Sequence, residues 1–270
     1  MELIDYKKMS KLINIAVATS KIQKLETPHK EIRPFIHLLL YGKIGSGKSS
    51  ILKEVGNKFK QIPIMGITKA TLLGAVDKTT GMFSPPAVWD CRNSVLLIDE
   101  FHIDKNSDRD MLNGLLSIME SPKYVKRIGY RCNDFTKKDG DLYCIVKENK
   151  ISCNTRFVLF INTMMNMERS QLFEITALKS RCIVIPYYPS LEDIKRKARG
   201  EPHYIYKEYK VPKKVKINNK EYEKILEFID SKNISVEYYL RLLGDLCRTY
   251  AVIGYDEEMF GLMCALATQK

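Results

Sequence analysis

Apolar runs of strand length alternate with amphipathic segments through the first two thirds of the chain. On one of these segments Met111, Leu112, Leu115 and Met119 form an apolar stripe at helical spacing. The strand-like runs are IHLLLYG, QIPIM, SVLLIDE, RFVLFIN and CIVIP. Strands that alternate with helices in this way are typical of a parallel sheet covered by helices. We therefore predict an α/β fold with a parallel five-stranded sheet.

Other patterns flank and interrupt this alternation. Residues 6–24 carry apolar positions at helical spacing, and TPHKEIRP then has the composition of a linker. Two β-like runs flank NDFTKKDGD, whose Asp-Gly pair is a hairpin signal. After Pro189 the pattern becomes helical and basic. We predict a helical leader and linker over 1–33, an α/β core over 34–190 with a hairpin insert at 124–153, and a small helical domain over 191–270.

Charge and cysteine content narrow the class of protein. The 44 Lys and Arg residues against 32 Asp and Glu give a net charge of +12, which favours a polyanionic partner or reflects a generally Lys-rich surface. No apolar stretch approaches the roughly 20 residues that cross a bilayer, and the first residues do not resemble a signal peptide. The seven cysteines are scattered along the sequence, which predicts that they are reduced thiols. We expect a cytoplasmic protein without a membrane partner.

The segment GKIGSGKSS follows the apolar run IHLLLY and precedes a helical segment. It fits the pattern GxxxxGK[ST] of a phosphate-binding loop, in which glycines allow backbone N–H groups to converge on a phosphate. Lys48 is expected to bind the β- and γ-phosphates of ATP, and Ser49 to ligate Mg²⁺. The alternative is a chance glycine turn. The predicted nucleotide-binding residues of this loop are Gly42, Gly45, Ser46, Gly47, Lys48, Ser49 and Ser50.

Polar residues at the ends of three later runs could complete such a site. Asp99 suits a role in binding Mg²⁺, and Glu100 could polarise an attacking water as a general base. This acidic pair could also merely cap the next helix, but a kinase would not need it, so it favours hydrolysis. Asn162 could orient the water or simply form a turn. Arg181 precedes the last strand, where we expect it close to the active edge of the sheet.

The ordered set GKIGSGKS, LLIDEF, FIN and LKSR resembles the Walker A, Walker B, sensor 1 and arginine-finger motifs of the AAA+ ATPases. The resemblance implies a P-loop AAA+ core followed by a small C-terminal helical lid. It also implies a homo-oligomeric, hexameric ring in which Arg181 reaches the γ-phosphate held by the neighbouring subunit. The arginine of a sensor 2 helix does not align cleanly. Tyr238 stands where it is expected, and Arg241 is the candidate, with Arg248 nearby.

Residues 68–112 are similar to the region around Walker B in minichromosome maintenance helicases, and superfamily 3 viral helicases are more distant relatives. The resemblance implies that 124–153 is a pre-sensor 1 hairpin, which in these helicases projects into the central channel and contacts the DNA backbone. Lys137 and Lys138, at the tip of the predicted hairpin, could hold phosphates without reading sequence. They could equally belong to a solvated turn. Cys132, Cys144 and Cys153 make a zinc site conceivable, although their spacing is irregular.

These resemblances predict an ATP-hydrolysing motor that acts on DNA, a replication helicase or initiator. The short segment before the core favours a compact viral or plasmid-borne relative, which would place a viral protein in the host cytoplasm. A protein-remodelling chaperone of the MoxR type is the alternative, since it shares the hairpin position. A non-hydrolysing scaffold or DNA-binding switch is a third class, which the presence of Glu100 disfavours.

Overall fold

The computed structural model describes residues 4–43, 45–59, 61–62, 69–99, 101, 106–121, 123–129, 132–164 and 177–268. Its helices are α1 Tyr6–Thr19, α2 Lys48–Gly56, α3 Lys69–Leu73, α4 Ala87–Asp90, α5 Asn106–Glu120, α6 Leu191–Ala198, α7 Asn219–Asp230, α8 Val236–Ile253 and α9 Glu257–Thr268. Its strands are β1 Lys24–Glu26, β2 Glu31–Ile32, β3 His37–Gly42, β4 Gln61–Ile62, β5 Ala75–Val76, β6 Phe83–Ser84, β7 Ser94–Ile98, β8 Lys123–Arg127, β9 Phe135–Asp139, β10 Leu142–Lys147, β11 Lys150–Asn154, β12 Phe157–Met164, β13 Cys182–Pro186 and β14 Lys214–Lys216.

The central sheet has the strand order β13-β3-β12-β7-β4, and every neighbouring pair is parallel. Alternate residues of the strands enter two apolar clusters, so that Leu38 and Leu40 of β3 face one side and Leu39 faces the other. Helices α1, α2, α8 and α9 contribute to the first cluster, and α4 and α5 to the second. The predicted α/β class with a parallel sheet is confirmed.

The N-terminal segment is part of this core. Helix α1 begins after its N-cap Asp5 and buries Leu12, Ile13 and Ile15 in the first apolar cluster. The helix ends at Thr19, earlier than predicted. The segment predicted as a linker also forms structure, because β1 pairs with β2 and, in parallel, with β14. The segment before residue 34 therefore begins with a helix and also contributes side chains to the core.

The predicted hairpin insert is a four-stranded antiparallel sheet with the order β8-β11-β10-β9. One two-residue turn begins at Gly140 with a φ of 60° and joins β9 to β10. A second turn, at Glu148 and Asn149, joins β10 to β11, with φ values of 49° and 60°. Lys137 and Lys138 consequently lie on the edge strand β9, opposite Cys144 and Tyr143, and not at a tip. Their predicted position was wrong because the chain turns only after Asp139.

The C-terminal region is helical, as its pattern predicted. Helix α6 begins with a capping box made by Ser190 and Asp193, and helix α7 with one made by Asn218 and Glu221. Helix α8 packs against α1, α7 and α9. Within the part of the chain that the structure describes, no helix is long and apolar enough to cross a membrane.

Candidate nucleotide-binding site

The loop between β3 and α2 has the backbone geometry of a phosphate cradle. Gly45 and Gly47 have φ values of 76° and 98°, in the left-handed region that favours glycine. A Cβ atom on Gly42 would lie 2.5 Å from the carbonyl oxygen of Tyr187, so that position accepts no side chain. Gly47 is the N-cap of α2, and no side chain caps that end of the helix. The first N–H groups of α2 therefore offer an anion-binding site.

Lys48 places its ammonium group against this loop. Its Nζ donates to the carbonyl oxygens of Gly42 at 2.8 Å and Lys43 at 2.7 Å, and lies 3.5 Å from Ser46 Oγ. The residue is only 6% exposed. A buried ammonium that binds backbone carbonyls is already desolvated, and it gains a stronger, charge-assisted partner when a phosphate enters.

Three polar side chains from separate elements meet beside the start of α2. Ser49 Oγ donates to Asp99 Oδ1 at 3.0 Å, and Asn162 Nδ2 donates to the same oxygen at 2.5 Å. Asn162 Nδ2 also lies 3.4 Å from Ser49 Oγ. The order of the sheet explains this meeting, because β12 lies between β3 and β7 and the carboxyl ends of parallel strands share one edge.

Asn162 is strongly constrained. It is 2% exposed, and its Oδ1 has no hydrogen-bond partner among the described residues. Its backbone oxygen accepts from the N–H of Phe101 at 2.9 Å, which fixes the chain after Asp99 against β12. Glu100, the predicted general base, lies outside the described residues. A buried amide oxygen without a partner beside a carboxylate and a hydroxyl indicates a site that binds another polar group.

Arg181 lies where the strands of the same sheet begin, opposite the carboxyl ends that carry the P-loop. The neighbouring Cys182 is in register with His37 at the start of β3, whereas the P-loop follows Gly42 at its end, about 16 Å away at the usual rise of a strand. The Arg181 guanidinium pairs with Glu120 at the end of α5 and donates to the carbonyl of Ala177. The expectation that Arg181 lies close to the active edge of its own sheet is therefore wrong.

Arg241 also lies at the amino ends of the strands. Its guanidinium donates to the carbonyl of Cys182 and lies 4.0 Å from the carboxylate of Asp245. Arg248 binds the same carboxylate at 2.7 Å and the carbonyl of Arg33 at 2.6 Å. The structure does not bring Arg241 to the P-loop of its own chain.

A family model described as "ATPase family associated with various cellular activities (AAA)" matches residues 38–175, about half of the chain. The chain belongs to the AAA family. The matched range contains the P-loop, Asp99 and Asn162, and it ends before Arg181 and Arg241. No curated protein matches the chain.

Membership of the AAA family makes this protein an ATPase, and the P-loop geometry fits the nucleotide. The loop offers backbone N–H groups and one lysine to phosphates. Beside it, the Ser49 hydroxyl and the Asp99 carboxylate are oxygen ligands of the kind that Mg²⁺ prefers. Ser49, Asp99 and Asn162 are therefore the residues that would hold a magnesium ion and its water next to the phosphates. Bound Mg²⁺ would neutralise charge on those phosphates during hydrolysis.

The sequence did not single out Lys197, which the structure also places at this loop. Its Nζ donates to Ser50 Oγ at 3.0 Å. The only signal in the sequence was the cluster of basic residues in the last turn of α6, and such clusters are usually a solvated helix end.

The cysteines of the four-stranded sheet do not assemble a metal site with described residues. Cys144 and Cys153 face each other across β10 and β11 and are both buried, whereas Cys132 is half-buried. The hydrogen bond that the Cys144 thiol donates to Cys153, together with burial, raises the pKa of the Cys144 thiol. Among the residues that the structure describes, no group of three His, Cys, Asp or Glu side chains could hold a metal ion. These thiols are packed as small apolar side chains.

Proposed function

We propose that this AAA ATPase is a motor that acts on DNA, a replication helicase or initiator of viral or plasmid type. The observation that carries the proposal is the outer face of the four-stranded sheet. Strand register places side chains of β8 to β11 in three rows on that face, and the two outer rows are rich in cations. The exposed cations of this basic face are Lys123, Arg127, Lys138, Lys147 and Lys150.

The charge of the basic face is uncompensated by its own strands. None of the five cations makes an ion pair with a described residue, and none of the outward strand positions is a carboxylate. Tyr143 lies half-buried between Lys138 and Asn154 in one row. Cations on the same face as an aromatic ring suit the phosphates and bases of single-stranded nucleic acid. Lys137 lies on the opposite face of β9, so it would contact bound nucleic acid only at the edge of the sheet.

The test is the affinity for single-stranded DNA as a function of salt. Replacing Lys138, Lys147 and Lys150 with alanine should weaken binding and lower the slope of log K against log salt by about 2, since each phosphate contact contributes about 0.7. Replacing Lys210, Lys214 and Lys220, which are also exposed, changes the net charge equally and should leave the slope unchanged. An equal loss in both triple variants would contradict the proposal.

A polypeptide substrate, as in MoxR-type remodelling chaperones, is the second candidate. Val125, in the central row of the basic face, is 67% exposed, and an exposed apolar side chain of this size favours a protein partner. If this candidate is right, single-stranded DNA should not stimulate ATP hydrolysis at any salt concentration, and an unfolded polypeptide should.

We further propose a hexameric ring in which Glu100 activates water, Asn162 orients it, and Arg181 of one subunit completes the Mg²⁺–ATP site of the next. The C-terminal helices α6 to α9 would serve as the lid. The position of Arg181 supports this arrangement, because it is about 16 Å from its own P-loop along the sheet, and its side chain is partly exposed. Its pairing with the exposed Glu120 is weak enough to open at a subunit interface.

A mixing experiment tests the shared site. Lys48→Ala removes the phosphate ligand, and Arg181→Ala removes the proposed finger, so each variant alone should hydrolyse ATP poorly. A mixture should regain activity, because some interfaces then combine an intact P-loop with an intact Arg181. An inactive mixture, with both variants still able to assemble, would contradict a site shared between subunits.

A further inference from the structure

A cation from outside the P-loop sequence lies against the loop. Lys197, in the last turn of α6, donates from Nζ to Ser50 Oγ at 3.0 Å. The same Nζ is 3.1 Å from the position that a Cβ atom of Gly47 would occupy. Lys197 makes no ion pair with a described carboxylate. Its charge is therefore directed at the start of α2.

The segment that carries Lys197 is fixed to the protein on both sides. Arg196 lies with its guanidinium 3.7 Å from the ring centre of Tyr6 and donates to the Tyr6 hydroxyl at 2.8 Å. On α2, the Glu54 carboxylate accepts from the backbone N–H groups of His203 at 2.7 Å and Tyr204 at 2.8 Å. Ser50 and Glu54 are one turn apart on the same face of α2. These contacts hold Lys197 beside the loop without help from a ligand.

The end of α2 that Lys197 faces is electrostatically suited to an anion. No acidic residue lies in the first turn of the helix, and no side chain caps it. The Lys197 ammonium adds a full charge to the partial positive charge of the helix end. Its present acceptor is a neutral hydroxyl, and a phosphate oxygen in the same place would accept a shorter and stronger charge-assisted bond.

We propose that Lys197 is a second phosphate-binding lysine of the ATP site. Lys48 binds the phosphates from inside the loop, where its Nζ contacts the carbonyls of Gly42 and Lys43. Lys197 binds the phosphate chain from the outer side, next to Gly47 and Ser50. The inference depends on ATP binding alone and not on whether the substrate of the motor is DNA or protein.

The test is nucleotide binding by Lys197→Ala, measured by calorimetric titration with ADP and by the rise of the unfolding temperature that ADP produces. The affinity for ADP should fall about fivefold to tenfold, as expected for one charge-assisted bond at an exposed position. Lys195 is a matched control, because it is exposed on the same helix and has no side-chain partner among the described residues. Lys195→Ala should bind ADP within about twofold of the wild type.

Adenosine separates phosphate binding from a structural role. It lacks phosphates, so the wild type and Lys197→Ala should bind it equally, and Lys197→Arg should recover most of the affinity for ADP. The unfolding temperature without nucleotide should be the same for all of these proteins. The proposal is overturned if Lys197→Ala binds ADP like the wild type, or if it loses adenosine and ADP affinity by the same factor.

Discussion

Replacing Asn162 with leucine should separate the catalytic contribution of this side chain from its contribution to stability. Leucine has a similar size but neither donates nor accepts hydrogen bonds. Loss of the 2.5 Å bond to the Asp99 carboxylate removes about 1.5–3 kcal/mol of stabilisation. The same substitution removes a buried amide oxygen that has no described partner, and such an oxygen destabilises the wild type by about 1–3 kcal/mol. The free energy of unfolding without nucleotide should therefore change by less than about 1 kcal/mol.

The effect of the substitution on the rate of ATP hydrolysis is not offset in this way. The Asn162 amide fixes Asp99 and Ser49, which are the proposed magnesium ligands, and we propose that it also orients the attacking water. Losing one preorganised donor in an active site lowers kcat by about 100-fold to 1,000-fold. We expect a decrease in this range, measured as phosphate release at saturating Mg²⁺–ATP.

Asn154→Leu is the matched control. Asn154 is also buried, and its Nδ2 donates to the carbonyl of Asp141 at 2.7 Å in the four-stranded sheet, outside the nucleotide site. Its replacement should lower the unfolding free energy by about 1 kcal/mol and leave kcat unchanged. Guanidinium unfolding followed by circular dichroism measures the first quantity. The reasoning is refuted if Asn162→Leu keeps kcat within about threefold of the wild type, or if it loses more than about 3 kcal/mol of stability.

Two further substitutions test the surroundings of the loop. Gly42→Ala should destabilise the protein by about 1–3 kcal/mol and weaken nucleotide binding, because the new Cβ would meet the backbone oxygen of Tyr187. Gly129→Ala is the control: its Cβ would point into open space, so the unfolding free energy in guanidinium should not change. Burial lowers the pKa of His37 to about 3. Below about pH 6.5 the unfolded chain therefore binds a proton that the folded chain does not bind. The unfolding free energy should consequently fall by about 1 kcal/mol between pH 7 and pH 5.5. His37→Gln keeps an acceptor for the N–H of Leu159 and should flatten this dependence in urea titrations at the two pH values; an unchanged slope would contradict the assignment.

The meeting of Ser49, Asp99 and Asn162 could be predicted because it depends on one rule. In a parallel sheet the carboxyl ends of the strands share an edge, so polar residues directly after buried runs come together whatever the loops do. The same rule gives the position of Arg181, which precedes its strand and therefore lies at the opposite edge. Its expected place was wrong because only residues that follow a strand lie at the carboxyl end of the sheet, and Arg181 precedes β13.

Other features depend on pairings between distant segments, which local patterns do not encode. Strand β1 pairs with β14 across most of the chain length, so the segment that looked like a linker is structured. The turn at Glu148 and Asn149 contains no glycine, so the sequence predicts one strand where β10 and β11 form. Strand β9 lies within NDFTKKDGD, whose polar residues predict a turn. Lys197 reaches the P-loop only because the end of α6 lies beside the start of α2, and nothing in its own neighbourhood of the sequence indicates that contact.

The two faces of α2 differ in how they can respond to a bound nucleotide. On its apolar face Leu52 and Val55 are fully buried in the same cluster as Leu242 of α8, and a close-packed interior resists displacement. On its polar face α2 is tied to 197–204 by hydrogen bonds that involve Ser50 and Glu54. Hydrogen bonds of this kind exchange partners without opening a core. If a bound phosphate draws Lys197 away from Ser50, the movement of Lys197 would therefore reach the segment after α6 before it displaced α8.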